Sequence, residues 1–191
     1  MYKINDSLVE REKIKEKSDR NFLLIIIFIV AVMTAILTLN HFVFLSVSVS
    51  GPSMQPTLYT GDVLTVNRLK KAETGDIIVI KGEKSYWLIK RVIACNEGDV
   101  IDIKEGVVTV NGVKESGNYG ATETHGDGLI YPVTLKEGEI FYLGDNRANS
   151  SDSRDYGTCA YDQVVGVVEE WSLKTKGINA FLFRISQKLK G

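Results

Sequence analysis

The sequence predicts a mainly β protein: an antiparallel β sandwich or barrel-like domain preceded by one N-terminal transmembrane helix. Three observations predict it. Asn21 through Gly61 carries no Lys, Arg, Asp or Glu. After Gly61 short β-branched runs replace the continuous apolar stretch. Turn signals separate those runs, with Gly-Asp at 61–62, 75–76, 98–99, 126–127 and 144–145 and Asn-Gly at 111–112.

The helix comes first. "FLLIIIFIVAVMTAILTL" (22–39) is 18 residues of almost pure apolar character. At ~1.5 Å per residue it spans roughly 27 Å, close to a bilayer core. A helix apolar on every face suits lipid better than the core of a soluble domain. Residues 21–45 are therefore expected to be an anchor, and residues 1–20 a mixed-charge tail. That tail holds six basic residues (Lys3, Arg11, Lys13, Lys15, Lys17 and Arg20), against none between 40 and 60. The bias puts the N-terminus in the cytoplasm and residues 46–191 outside it. A cleaved secretory signal ending at "SVS" (48–50) is the rival; the apolar run is longer than a usual signal core, which favours a retained anchor.

The β domain follows. The strand candidates are "VLTVNRL" (63–69), "DIIVIKG" (76–82), "YWLIKRVIAC" (86–95), "DVIDIKEG" (99–106), "VVTVNG" (107–112), "EIFYLGD" (139–145) and "VVGVVEEW" (164–171). Many short strands at this spacing indicate a sandwich or barrel. "ESGNYGATETHGDGL" (115–129) reads as an exposed loop. The tail "GINAFLFRISQKLKG" (177–191) has apolar residues near helical spacing and is too short to cross a bilayer. It suits a helix docked on the domain, or one lying in a membrane interface.

Composition narrows the function. With 23 Lys and Arg against 24 Asp and Glu, the net charge is −1, which suggests no nucleic-acid partner. Cys95 and Cys159 cannot make a disulfide framework, and with His41 and His125 distant they form no metal cluster. Two core thiols are expected rather than a single disulfide. No metal or cofactor is implied, and a monomer is expected.

Three pieces could carry chemistry. Ser53 sits in "SGPSMQPTL" (50–58), bracketed by Pro52 and Pro56 shortly after the anchor. A serine hydroxyl needs a base within hydrogen-bond reach. His41 falls at the membrane edge and His125 in the glycine-rich loop, so a histidine-based triad is disfavoured. Lys90, inside the apolar "YWLIKRVIAC", is the other candidate. On an edge strand its amine would sit in water; buried, it would lose its proton readily and could act as a base. The third piece, "GDNRANSSDSRDYG" (144–157), packs Asp145, Arg147, Asp152, Arg154 and Asp155 among serines and asparagines. It reads as a polar loop whose charges could brace a pocket.

In this order, an anchor, "SGPSMQPTL" (50–58), "TGDIIVIK" (74–81), "LIKRVIACNEGD" (88–99) and "GDNRANSSDSRDYG" (144–157) closely resemble the bacterial type I signal peptidases. The resemblance covers most of the chain. It implies a membrane-anchored Ser/Lys endopeptidase that removes signal peptides from exported preproteins after small-x-small, Ala-x-Ala, motifs. Ser53 would be the acylating nucleophile and Lys90 the general base. Ser150 would hydrogen-bond the Lys90 amine, and Asp145, Arg147, Asp152 and Arg154 would support the pocket. Met54 would pack near the substrate and the membrane surface. The Ser53 backbone N–H would serve the oxyanion hole. Some members add a hydroxyl donor two positions before the nucleophile; here that position is Gly51, whose backbone or a water would substitute. Cys95 and Asn96 stand where the family commonly has a Leu-Pro pair. The short interval before the Gly-Asp-Asn-Arg loop implies an accessory region reduced to hairpins within 99–135. The implied partners are preprotein signal peptides and the lipid bilayer.

Overall fold

The computed structural model describes residues 2–82, 86–117 and 128–188. The chain divides into two compact units, Met1–Val43 and Phe44–Gly191. The first is one helix, α1 (Tyr2–Val43). Its Lys15–Val43 segment has a mean hydropathy of 3.1 and is long and apolar enough to cross a membrane. The helix stops at Val43, two residues short of the expected anchor boundary, and Phe44 already belongs to a strand.

The second unit is built from antiparallel sheets. Its strands are β1 (Phe44–Ser48), β2 (Val63–Asn67), β3 (Ile77–Lys81), β4 (Trp87–Ala94), β5 (Val100–Lys104), β6 (Val107–Val110), β7 (Val113–Lys114), β8 (Val133–Thr134), β9 (Glu139–Leu143), β10 (Cys159–Ala160) and β11 (Val164–Val168). Two helices join them, the single turn α2 (Ser153–Tyr156) and α3 (Glu170–Lys188). One sheet has seven strands in the order β1-β2-β11-β3-β4-β9-β10; the other has four, β7-β6-β5-β8. Each strand candidate read from the sequence corresponds to one of these. β1, β7, β8 and β10 match none of the candidates; β1 pairs with β2 from Phe44↔Asn67 to Ser48↔Val63 and forms one edge of the large sheet.

Packing follows from strand periodicity. In β3, Ile77 and Val79 enter a cluster with Val47, Met54 and Leu64, while Ile78 and Ile80 enter a second with Val92 and Tyr142. Both faces of the large sheet are thus covered. That is why "IIVI" is a continuous apolar run rather than an alternating one. A third cluster, including Ile93, Ile101, Phe141 and Leu143, joins the small sheet to β4 and β9.

The cysteines are free; Cys159 is buried, Cys95 half-buried, and burial pushes the Cys159 thiol up to about 12. His125, and most of the glycine-rich segment around it, lies outside the described residues.

Candidate active site

Ser53 lies in a turn between β1 and β2. The chain arrives through Gly51, whose φ of +92° belongs to the region that favours glycine. Thr60 fastens the turn: the Gly51 N–H donates to Thr60 Oγ1 at 3.1 Å, and that hydroxyl donates to the Gly51 carbonyl at 3.3 Å. The Gly51 N–H is therefore already engaged, which leaves the expected glycine substitute for an oxyanion donor occupied. Met54 is 1% exposed and belongs to the core with Leu58 and Leu64. Met54 also lines the cavity shared by Ser53 and Lys90.

Lys90 occupies the middle of β4, which lies between β3 and β9 and pairs with β9 from Arg91 onward. Opposite it on β3 stands Ile78. The residue is only 3% exposed. Desolvation by this burial pulls the ammonium down to about 8; Asp152 opposes the shift, Arg154 adds to it, and Asp145 opposes it. The alternative left open by the sequence, an amine in water, is not what this strand provides.

Ser53 and Lys90 line one cavity of about 370 Å³, together with Ser46–Ser50, Met54 and Trp87–Ile89. Its two walls are strand edges with one partner each. Among the described residues β1 pairs only with β2, and Trp87–Lys90 of β4 pair with β3 alone, because β9 begins its pairing at Arg91.

The Gly-Asp-Asn-Arg loop ties these parts together. Asn146 donates its backbone N–H to the Ser53 carbonyl at 3.0 Å and its side-chain amide to the Pro52 carbonyl at 3.2 Å. Asp145, fully buried, accepts Arg91 Nε at 2.8 Å, Arg91 Nη2 at 2.7 Å and the Thr57 hydroxyl at 2.5 Å. Asp152, also fully buried, caps α2, accepts the Gly144 N–H at 2.9 Å and pairs with Arg154 Nε at 2.8 Å. Arg154 then donates to the carbonyls of Arg147 and Ser150. Arg147 bridges to Glu115 at 2.6 Å and donates to the Gly144 carbonyl. Each acidic residue of the network is thus matched by an arginine or a backbone donor, as buried charge requires.

The Ser150 hydroxyl is different. It is buried and, among the described residues, has no hydrogen-bond partner, so the expected bond to the Lys90 amine is not formed in this structure. A Cβ built on Gly144 would collide with Ser150 Oγ and with the Ser53 carbonyl oxygen. Gly144 is therefore where the loop, Ser150 and the Ser53 turn meet. Among the described residues no group of three or more His, Cys, Asp or Glu side chains could hold a metal ion.

With the site in view, comparison with known proteins is decisive. The family model described as "Signal peptidase, peptidase S26" matches residues 20–172. The chain belongs to this family. It is 38% identical over 152 residues to signal peptidase I T of Bacillus subtilis (strain 168), covering 72% of this chain and 78% of that one. Against a signal peptidase I of Bacillus caldolyticus the identity is 38% over 148 residues, covering 69% and 81%. A solved signal peptidase I from Enterococcus faecalis V583 aligns with a TM-score of 0.46 at 29% identity, covering 52% of this chain and 98% of that one.

In this chain the sequence motifs locate the serine, the lysine and the charged loop, but not their fastenings. Arg91, Thr57 and Thr60 carry no signature of their own, and Gly144 and Asn146 show only as members of the Gly-Asp-Asn-Arg loop, with nothing to mark what they fasten.

Proposed function

We propose that this chain is a single-pass, membrane-anchored serine endopeptidase that cleaves signal peptides from exported preproteins after Ala-x-Ala motifs. The anchor would leave the N-terminus in the cytoplasm and the β domain on the outer side of the cytoplasmic membrane, acting as a monomer. The observation that carries the reading is the single cavity onto which Ser53 and the buried Lys90 both open, between the free edges of β1 and β4. A peptide entering as an extended strand can bond to both edges by its main chain, and small side chains suit the limited space beneath it.

The chemistry then uses the chain's own groups. Neutral Lys90 takes the Ser53 hydroxyl proton as Oγ attacks the scissile carbonyl. The ammonium returns that proton to the leaving amine, and the C–N bond breaks to give an acyl ester on Ser53. Lys90 next deprotonates water, the hydroxide attacks the ester, and the proton restores the serine. The Ser53 backbone N–H is the proposed oxyanion donor. Ser150 would orient the amine during the reaction, and Asp145, Arg147, Asp152 and Arg154 would hold the pocket's shape.

Full-length protein in detergent, assayed on a precursor peptide carrying an Ala-x-Ala site, tests this. Ser53→Ala and Lys90→Ala are expected to abolish cleavage with the fold intact, while His125→Ala stays active. Cleavage surviving Lys90→Ala but lost in His125→Ala would replace the lysine with a histidine base.

A further inference from the structure

α3 leaves five of its large apolar residues exposed. Its inner side packs Leu173 against the core and is fixed by polar contacts. Ser172 is fully buried and its hydroxyl accepts the Thr65 N–H at 2.7 Å. Lys176 Nζ reaches Asp62 at 2.9 Å and the Thr57 carbonyl at 2.8 Å, lying over the Tyr59 ring. Trp171, Ile178, Phe181, Leu182 and Ile185 are 41–64% exposed. At ~100° per residue these five fall within an arc roughly 100° wide, a stripe that also contains Lys174 between Trp171 and Ile178. Water is a poor environment for such a stripe, and among the described residues nothing covers it.

Charge identifies what does. From Trp171 to the C-terminus the sequence has Lys174, Lys176, Arg184, Lys188 and Lys190 and no acidic residue, in a chain whose net charge is −1. An apolar stripe with a tryptophan and flanking cations matches the interface of an anionic bilayer, where rings and aliphatic chains enter the acyl boundary and cations meet headgroups. A second copy would set one all-basic segment against another. The chain also has its own membrane context, since Lys15–Val43 is apolar and long enough to cross a bilayer. We propose that α3 is an in-plane membrane helix whose outward stripe seats in the interface of a bilayer containing anionic lipid. Through Lys176 the seated helix is tied to Thr57 and Asp62, in the turn that begins at Ser53, so the interface sets the depth of the site. This inference goes beyond the peptidase reading and does not depend on the Ser53 mechanism.

The sequence has two tryptophans, so Trp87→Phe makes Trp171 the sole indole of the full-length protein. Reconstituted into phosphatidylcholine vesicles with or without phosphatidylglycerol, it would be measured with lipids brominated near the headgroup end of the acyl chain. The expected result is a blue-shifted Trp171 emission quenched by those lipids, more strongly with phosphatidylglycerol. Ile178→Glu combined with Leu182→Glu should abolish the quenching, and Lys174→Gln combined with Arg184→Gln should abolish its dependence on phosphatidylglycerol. Because these four side chains do not anchor the helix to the domain, an unchanged unfolding midpoint is the accompanying control, with Phe181→Ser as a milder variant. Absence of quenching, quenching indifferent to the glutamates, or quenching indifferent to phosphatidylglycerol overturns the proposal. Shielding of Trp171 that disappears as the lipid-to-protein ratio rises assigns the stripe to a second copy and overturns it as well.

Discussion

Arg91 holds Asp145 with two arms of its guanidinium, Nε to Oδ1 at 2.8 Å and Nη2 to Oδ2 at 2.7 Å, while Nη1 donates to the Gly75 carbonyl at 2.7 Å. The carboxylate is fully buried and also accepts the Thr57 hydroxyl. Since Arg91 adjoins Lys90 and Thr57 lies in the turn of Ser53, one carboxylate fixes the lysine's strand to the serine's segment. Asp145→Ala would strand a largely buried guanidinium, and breaking such a pair costs about 3–5 kcal/mol. Denaturant unfolding of the full chain in detergent measures it. Arg91→Lys is expected to lose much of the same stability, because an ammonium cannot replace the two-point contact. A loss under about 1 kcal/mol for Asp145→Ala would mean that the pair behaves as a solvated surface bridge.

The second prediction concerns pH. Burial holds Lys90 at about 8, below its ordinary value of 10.5. Below that pH the amine is an ammonium and cannot accept the serine proton. The ratio kcat/KM should therefore rise about tenfold per pH unit on the acid side and level off above about 8. A profile centred near the ordinary histidine range, about 6.5, would point to an imidazole instead.

The strand candidates were legible because turn chemistry and β-branched runs are local signals. β1 was legible in principle too. Leu45, Val47 and Val49 alternate with Ser46, Ser48 and Ser50, the period-two pattern of a strand. Its position directly after an uncharged helical run hides that pattern, since apolar character continues unbroken from Val43 into Phe44. The burial of Lys90 depends on long-range packing that no local pattern announces: residues 46–50 and the Ser53 turn line the same cavity, and β9 pairs with β4 from Arg91 onward. For the same reason Asp145 could be seen as a charge in a polar loop, but its partners Arg91 and Thr57, 54 and 88 positions away, could not.

The third prediction follows from the cost of burying Lys90. Its folded value, about 8, lies below the ordinary 10.5, so between these pH values the unfolded chain binds more protons than the folded one. Stability contributed at this site therefore rises with pH across that window, and below about 8 the full penalty is present. Lys90→Met fills the space without a charge. It should stabilise the fold near neutral pH by on the order of 3 kcal/mol while abolishing cleavage. Unfolding at about pH 7 and about pH 10 checks both sign and window, with the gain shrinking at the higher pH. Equal stability of the two proteins at both pH values would mean that Lys90 is not desolvated.

The last prediction concerns Gly144. A methyl group there would lie 2.5 Å from the Ser53 carbonyl oxygen and 2.5 Å from Ser150 Cβ, inside the 3.0 Å that real Cβ contacts keep. The glycine cannot retreat, because its N–H donates to Asp152 at 2.9 Å and its carbonyl accepts Arg147 Nε at 3.0 Å. The adjustment must come from the Ser53 turn or from Ser150. Gly144→Ala should then cost about 1–3 kcal/mol of stability, and displacing the nucleophile by ~1 Å should lower kcat ~100-fold. KM should change little, because the strand edges of β1 and β4 that would hold the peptide are untouched. Gly177→Ala is the matching control: its added Cβ meets nothing within 4 Å. In α3 it should raise stability by about 0.5–1 kcal/mol and leave kcat alone. Wild-type kcat in Gly144→Ala would show that the spacing between Ser53 and Ser150 is not set by the loop that separates them.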